Sequence, residues 1–359
     1  MLSTLTIAFI SLISLITLHE IGHFLLAKKF GVKVEEFGIG YPPRIIAKKI
    51  GETTYSLNFL PFGAFVSMKG ETEESSDPRS FSNQSVGKRF LIALGGVFSF
   101  WIIAAIIFSI VFSMGAPVAI EDEETFEFSN PRVNIMAIAK DSPAEIAGLK
   151  VGDVINGFEV GGTKFDVTKI KEVKEITDEN KGQELTLIIK RGKEVFQISL
   201  IPRASPPANE GPMGVALIRT AIQKYPWYLT PFKGIKATGE ITLFVIQAYI
   251  QAIENLFIGQ PLGIEMVGPV GVLQILAQSQ QLGIIYFFNL LALISIQLAI
   301  FNLLPIPAVD GGRIMFLAIE AVRKKPVSQK TQQKMIVFSF VALLLIMVWV
   351  TIKDVSKLF

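Results

Sequence analysis

The 359-residue chain has no cysteine and only two histidines. Without cysteine there is no disulfide framework, and a zinc site must draw on His, Asp or Glu. Charge is scarce. Asp, Glu, Lys and Arg make up 18% of the residues, below the ~25% of an average soluble domain. The net charge of +3 says little by itself, and no nucleic-acid partner is expected. In place of charge the chain is apolar: half of it is hydrophobic, with a mean hydropathy of +0.49. This composition points to a membrane protein with a soluble portion.

Four apolar runs are near the ~20 residues that span a bilayer. Leu2 to Ala27 carries one formal charge, Glu20, and ends at Lys28-Lys29. Phe90 to Gly115 follows Lys88-Arg89, a third run from about Gly283 to Leu304 ends in Pro305 and Pro307, and the fourth is about Met335 to Ile352. Residues 1–18 have no leading Lys or Arg and no small-residue cleavage site, so they are not expected to be a removed signal peptide. Lys28, Lys29, Lys33, Arg44, Lys48, Lys49, Lys69, Arg79, Lys88 and Arg89 lie between the first two runs. Arg313, Arg323, Lys324, Lys325, Lys330 and Lys334 lie between the last two. Positive charge gathers on the cytoplasmic side, so both loops are expected there, with the termini and residues 119–280 outside.

The segments between the runs have their own patterns. Gly38 to Pro43 is a breaker cluster. Thr53 to Phe59 alternates polar and apolar, Pro61-Phe62-Gly63 reads as a turn, and Ala64 to Met68 as the returning strand. This predicts a β-hairpin close to the membrane, followed by a polar, acidic loop from Glu71 to Ser85. Ser142 to Ile155 reads as a capped short helix, a glycine stop and a strand. Leu185–Ile189 and Phe196–Leu200 flank Arg191-Gly192 as a second hairpin. Ala204 to Pro212 reads as a linker, and Met213 to Ile218 as one more strand. Residues 226–258 are apolar but interrupted by Lys233, Lys236, Glu240 and Glu254, which fits an amphipathic helix on the membrane surface. Gly263 to Gly271 breaks it.

The chemistry is concentrated in His19-Glu20-Ile21-Gly22-His23, which holds both histidines of the chain. On a helix, positions i and i+4 share a face, so the pair can hold one zinc ion, and Glu20 beside it can work on water. Polar ligands inside an apolar span are costly and mark function. The third ligand must be an acid. Asp310 is the only acid between Glu265 and Glu320; it follows two prolines and precedes Gly311-Gly312. Broken backbone at membrane depth is tolerated where it is buried or lines a wet cavity. Counting from Lys28, the histidines lie roughly 8–14 Å inside the cytoplasmic interface.

These residues closely resemble the site-2 protease family of intramembrane zinc metalloproteases, of the regulator of sigma-E protease type. The resemblance rests on His19 to His23, on Asn302 to Gly311 (Asn-x-x-Pro-x-Pro-x-x-Asp-Gly), on a PDZ signature at Ser142 to Ile155, and on Gly268-Pro269-Val270-Gly271. It implies a bundle of four transmembrane helices with a membrane-associated β-hairpin and a single inserted α+β PDZ-like domain. The expected division is 1–118 (two spans and hairpin), 119–220 (extracytoplasmic PDZ-like domain), 221–282 (amphipathic surface region) and 283–359 (two spans).

The family implies that His19, His23 and Asp310 bind Zn2+ and that Glu20 is the general base. Asn302 would hold substrate backbone, with Phe59, Gly63, Ala64 and Phe65 on the substrate side of the hairpin, where an unwound segment adds as a strand. The implied partners are the bilayer of a bacterial inner membrane, single-span membrane proteins such as a pre-cut anti-sigma factor or remnant signal peptides, and a peptide C-terminus at the PDZ-like unit. Gly96 to Phe100 departs from the family's Gly-Pro-x-x-Asn. Three other readings are weaker. An inert adaptor would not keep an intact metal set, an anchored zincin would carry the motif outside the span, and a transporter would show an inverted repeat.

Overall fold

The computed structural model describes residues 2–71, 75–123, 129–192, 194–207, 210–261 and 267–356. Parts of the acidic loop after Glu71, of the 263–271 break with Glu265, and of the start of the expected 119–220 domain lie outside the described residues. The chain forms two compact units: residues 1–109, 231–280 and 287–359, and residues 110–230 with 281–286.

In the first unit, uninterrupted apolar sequence becomes long helix. α1 (Leu2–Lys29), α2 (Val86–Met114), α7 (Ile284–Leu303) and α9 (Gln329–Ser356) are long and apolar enough to cross a membrane. α1 ends on Lys28 and Lys29, cations that suit a helix C-terminus, and on Gly31 at φ +77°. α1 and α2 cross closely because their contact is built from glycine. A Cβ on Gly22 would sit 2.4 Å from the Gly95 carbonyl oxygen, and one on Gly95 2.4 Å from Leu26. α7 is tied to α2 by the buried Ser295 hydroxyl, which donates to the Phe100 carbonyl at 2.8 Å.

α5 (Thr230–Phe257) is one continuous helix. α6 (Pro269–Leu282) begins in the Gly-Pro-x-Gly stretch, and the Gly271 N–H donates to Asp354 of α9 at 2.9 Å. Gly268 and Gly271 leave the room that this carboxylate fills. α8 (Asp310–Arg323) starts directly after the proline-broken end of α7. Gly311 and Gly312 are needed there, since a Cβ on either would meet backbone of residues 303–307 at 2.0–2.3 Å.

The sheet of this unit corrects the expected hairpin. β1 (Val34–Ile50) pairs antiparallel with β2 (Thr53–Met68), and the tight turn is Gly51-Glu52. Pro61-Phe62-Gly63 does not fold residues 53–59 onto 64–68. Both stretches flank residues 36–39 instead: 54–57 runs beside them in the same direction and 64–67 in the opposite one, while 46–50 returns along 57–53. The glycines read as breakers are inside β1. Gly38 lies so close to Phe65 that a Cβ would be 2.4 Å from its ring, and Gly40 takes φ +76°. A cluster that ends a regular strand here bends one.

The second unit contains β3 (Ala116–Ala119), β4 (Ser129–Ile138), α3 (Pro143–Ile146), β5 (Val154–Val160), β6 (Thr163–Asp166), α4 (Ile170–Glu179), β7 (Leu185–Arg191), β8 (Glu194–Leu200) and β9 (Val215–Gln223). The sheet order is β3-β9-β4-β5-β7-β8, with β6 on β5. Ser142 caps α3 by accepting from the Glu145 N–H, and β7–β8 is the expected hairpin. Ile135, Ile155, Phe158, Leu185, Leu187 and Ile189 form the core, with α4 supplying Val173. Buried Asp153 accepts two hydrogen bonds from Arg191, at 2.6 and 2.7 Å.

Candidate active site

α1 carries His19 and His23 one turn apart, and the start of α8 brings Asp310 to them. His19 Nε2 is 3.1 Å and His23 Nε2 3.2 Å from the same Asp310 oxygen, Oδ2. Among the described residues this is the one His, Cys, Asp and Glu group placed to share a metal ion. Both imidazoles are buried, at 6% and 4% exposure.

The donor set fits zinc. Bonds of about 2.0–2.1 Å in a tetrahedral site place ligand atoms about 3.3 Å apart, close to the two separations found. The tautomer fits as well. His23 Nδ1 lies 2.8 Å from the Ile92 carbonyl, which can only accept, so Nδ1 carries the proton and Nε2 presents its lone pair. The space beside that atom is kept open by Gly96, where a Cβ would fall 2.0 Å from His23 Nε2. His19 is oriented differently: its ring stacks on Phe100 at 4.5 Å and 16°, and its Nδ1 has no hydrogen-bond partner among the described residues. Gly96 and Phe100 belong to the stretch that departs from the family pattern, and both touch the histidines.

The site opens into a cavity of about 1190 Å³ lined by His19, Glu20, Tyr41, Ala64, Asn302 and Asp310, among others. A smaller one of about 160 Å³ runs between Glu20, His23 and Asp310 and the strand Ala64–Met68. Asn302 lines the larger cavity and donates its amide to the Leu298 carbonyl at 2.9 Å. The structure therefore brings Glu20, Asn302, Ala64 and Phe65 to the metal group. Gly63, at φ +101°, lies beside Tyr41 and Ile16. Phe59 stands apart from both cavities and is 65% exposed.

Several lining residues escaped the sequence reading. Tyr41 was hidden in the breaker cluster; it stacks on Phe65, and burial together with the Glu20 charge raises its phenol pKa. Arg313 lies three residues after Asp310 on α8 and pairs with Glu71 at 2.5 Å. Arg89 and Glu320 form a half-buried two-point pair at 2.5 and 3.0 Å at the wall of the large cavity. The helical spacing of Arg313 from Asp310 was a usable signal; that of Tyr41 was not.

Comparison with known proteins agrees with this chemistry. Residues 7–347 match the model of peptidase family M50. A Clostridium perfringens protein described as a candidate zinc metalloprotease is 34% identical, over 97% of each chain. A Clostridium acetobutylicum protein described in the same way is 32% identical, over 98% of this chain and 97% of its own. The Bacillus subtilis regulator of sigma-W protease is 26% identical, over 98% of this chain and 99% of its own.

Proposed function

Because this chain belongs to peptidase family M50 and is a zinc metalloprotease, we propose that it is an intramembrane endopeptidase that cuts transmembrane segments of other proteins. The observation that carries this reading is the convergence of His19 and His23 Nε2 on Asp310 Oδ2, with both histidines on a helix able to span the bilayer. His19, His23 and Asp310 would hold the metal, whose charge lowers the pKa of water and polarises the scissile carbonyl. Glu20 takes the proton from the attacking water and returns it to the leaving amine. His23 is held in its working tautomer by the Ile92 carbonyl, and the His19 ring is oriented by the face of Phe100.

A peptide bond inside a helix is shielded, so the substrate must be extended first. The strand Ala64–Met68 beside the site supports that step: an extended segment adds to its edge, with Asn302, which lines the larger cavity, available to substrate backbone. Single-span proteins are the substrate class. The Bacillus subtilis relative is named for regulating sigma-W, and an anti-sigma factor already cut outside the membrane, or a remnant signal peptide, meets the same requirement. In the same reading the site lies toward the cytoplasmic face of the bacterial membrane. α5 lies along the membrane surface, and residues 125–203 form a PDZ-like size filter outside that excludes substrates with bulky outer domains.

The test is Glu20→Gln in the full chain. Zinc content should stay at one ion per chain, while cleavage of a single-span reporter falls by roughly 10²–10⁴-fold. Full activity in that variant would remove Glu20 from the mechanism.

A further inference from the structure

Among the described residues, the strand Ala64–Met68 pairs with another strand on one side only, and its other edge has a built end. The Lys69 N–H donates inward to the Lys33 carbonyl at 3.0 Å, so the Met68 N–H, one residue earlier, faces the other way. That outward N–H is taken by Glu71 Oε2 at 3.2 Å. The other oxygen of the same carboxylate, Oε1, accepts from Arg313 Nη2 at 2.5 Å. Arg313 is also held over the Phe81 ring, 5.9 Å from its centre. Glu71, Arg313, Met68 and Asp310 all line the smaller cavity. One side chain thus closes the edge, and its partner sits three residues, about 4.5 Å of helical rise, after the metal-binding aspartate.

We propose that Glu71 and Arg313 are positioning residues that form an end stop for the substrate strand and so choose which peptide bond is cut. The inference rests on the proposed function. An incoming strand pairs with the edge residue by residue until it reaches Met68, whose N–H is already occupied. Because α8 joins the stop to Asp310, the distance from the stop to the metal site is fixed, and the bond at that distance is cleaved. Outward-facing pairing groups recur every second residue, so freeing Met68 adds one pairing position and moves the substrate by two residues, about 6–7 Å.

The experiment uses the full chain in membranes with a single-span reporter. Its span is 20 residues of Leu and Ala with a central Asn-Gly to ease unwinding. Fragments are read by mass spectrometry. Glu71→Ala and Arg313→Ala should give new fragments displaced by two residues from the wild-type cut. Glu71→Gln keeps an oxygen for the Met68 N–H and should restore the original cut. Zinc content of each variant reports whether the site has survived. An unchanged principal cut in Glu71→Ala, or loss of cleavage without displaced fragments, would overturn the end stop. A wild-type chain that leaves the reporter intact would instead overturn the proposed function.

Discussion

The two units of this molecule differ in what they turn outward. The sheet unit follows the soluble rule: Val133, Ile155, Phe158, Leu187 and Ile189 are fully buried. In the helical unit the long helices turn many of their large apolar side chains outward. Ile10 and Leu25 of α1 are 56% and 59% exposed, and Phe338 and Leu345 of α9 are 77% and 62% exposed. Leu15, Ile92, Phe100 and Ile296 are still buried between them, but small and polar groups share that interior: Gly22, Gly95, Ser295, His19 and His23. Hydrophobic burial cannot drive helices together in a solvent as apolar as leucine, so close packing and internal hydrogen bonds do so. Such packing lets the polar group of His19, His23 and Asp310 sit in the middle of an apolar segment.

The largest expected effect tests the helical unit at its polar centre. Asp310→Asn should abolish cleavage and lower bound zinc well below one ion per chain, measured by elemental analysis of the purified protein. Gly96→Ala tests the packing beside it. The new methyl would collide with His23 Nε2, so zinc affinity should fall by at least the ~10–100-fold seen when a ligand's support is lost.

The sheet unit should behave conversely. Phe158→Ala should cost that unit about 3–5 kcal/mol in thermal or denaturant unfolding and leave zinc content unchanged. Phe338→Ala, on the outward face of α9, should cost little by the same measurement, because its side chain meets lipid before and after folding.

The smallest effect concerns Glu52 at the β1–β2 turn. It accepts from Arg79 at two points, both 2.6 Å, and from Lys28 at 3.0 Å, and these hold its pKa at about 2 against an ordinary 4.5. A depressed carboxylate stabilises the fold above its unfolded value, and that contribution is lost as pH falls from about 4.5 to about 2. Glu52→Gln should therefore flatten the stability profile over that window by lowering stability above it, at pH 7 included, and only slightly because the group is solvent-exposed. An unaltered acid limb would show that the tether does not contribute.

The linear pattern already contained the four spans, because uninterrupted apolar length needs no partner to become helix in a bilayer. It also contained the short capped helix at Pro143 and the hairpin around Arg191-Gly192, whose signals are local. His19, Glu20 and His23 were legible as a helix-spaced motif. Asp310 was legible by elimination, since few residues can bind zinc in a chain without cysteine. Three things were decided only by the tertiary structure. The middle strand of the 34–68 sheet, residues 36–39, is long-range pairing that alternation cannot locate. The roles of Gly96 and Phe100 come from how closely α1 and α2 approach, so a stretch that read as a departure from a pattern is the floor under both histidines. The meeting of Glu71 with Arg313 depends on the same kind of distant contact. Sequence fixes periodicity and chemistry along the chain, whereas the close contacts of backbones and charges across it depend on distances that no residue carries alone.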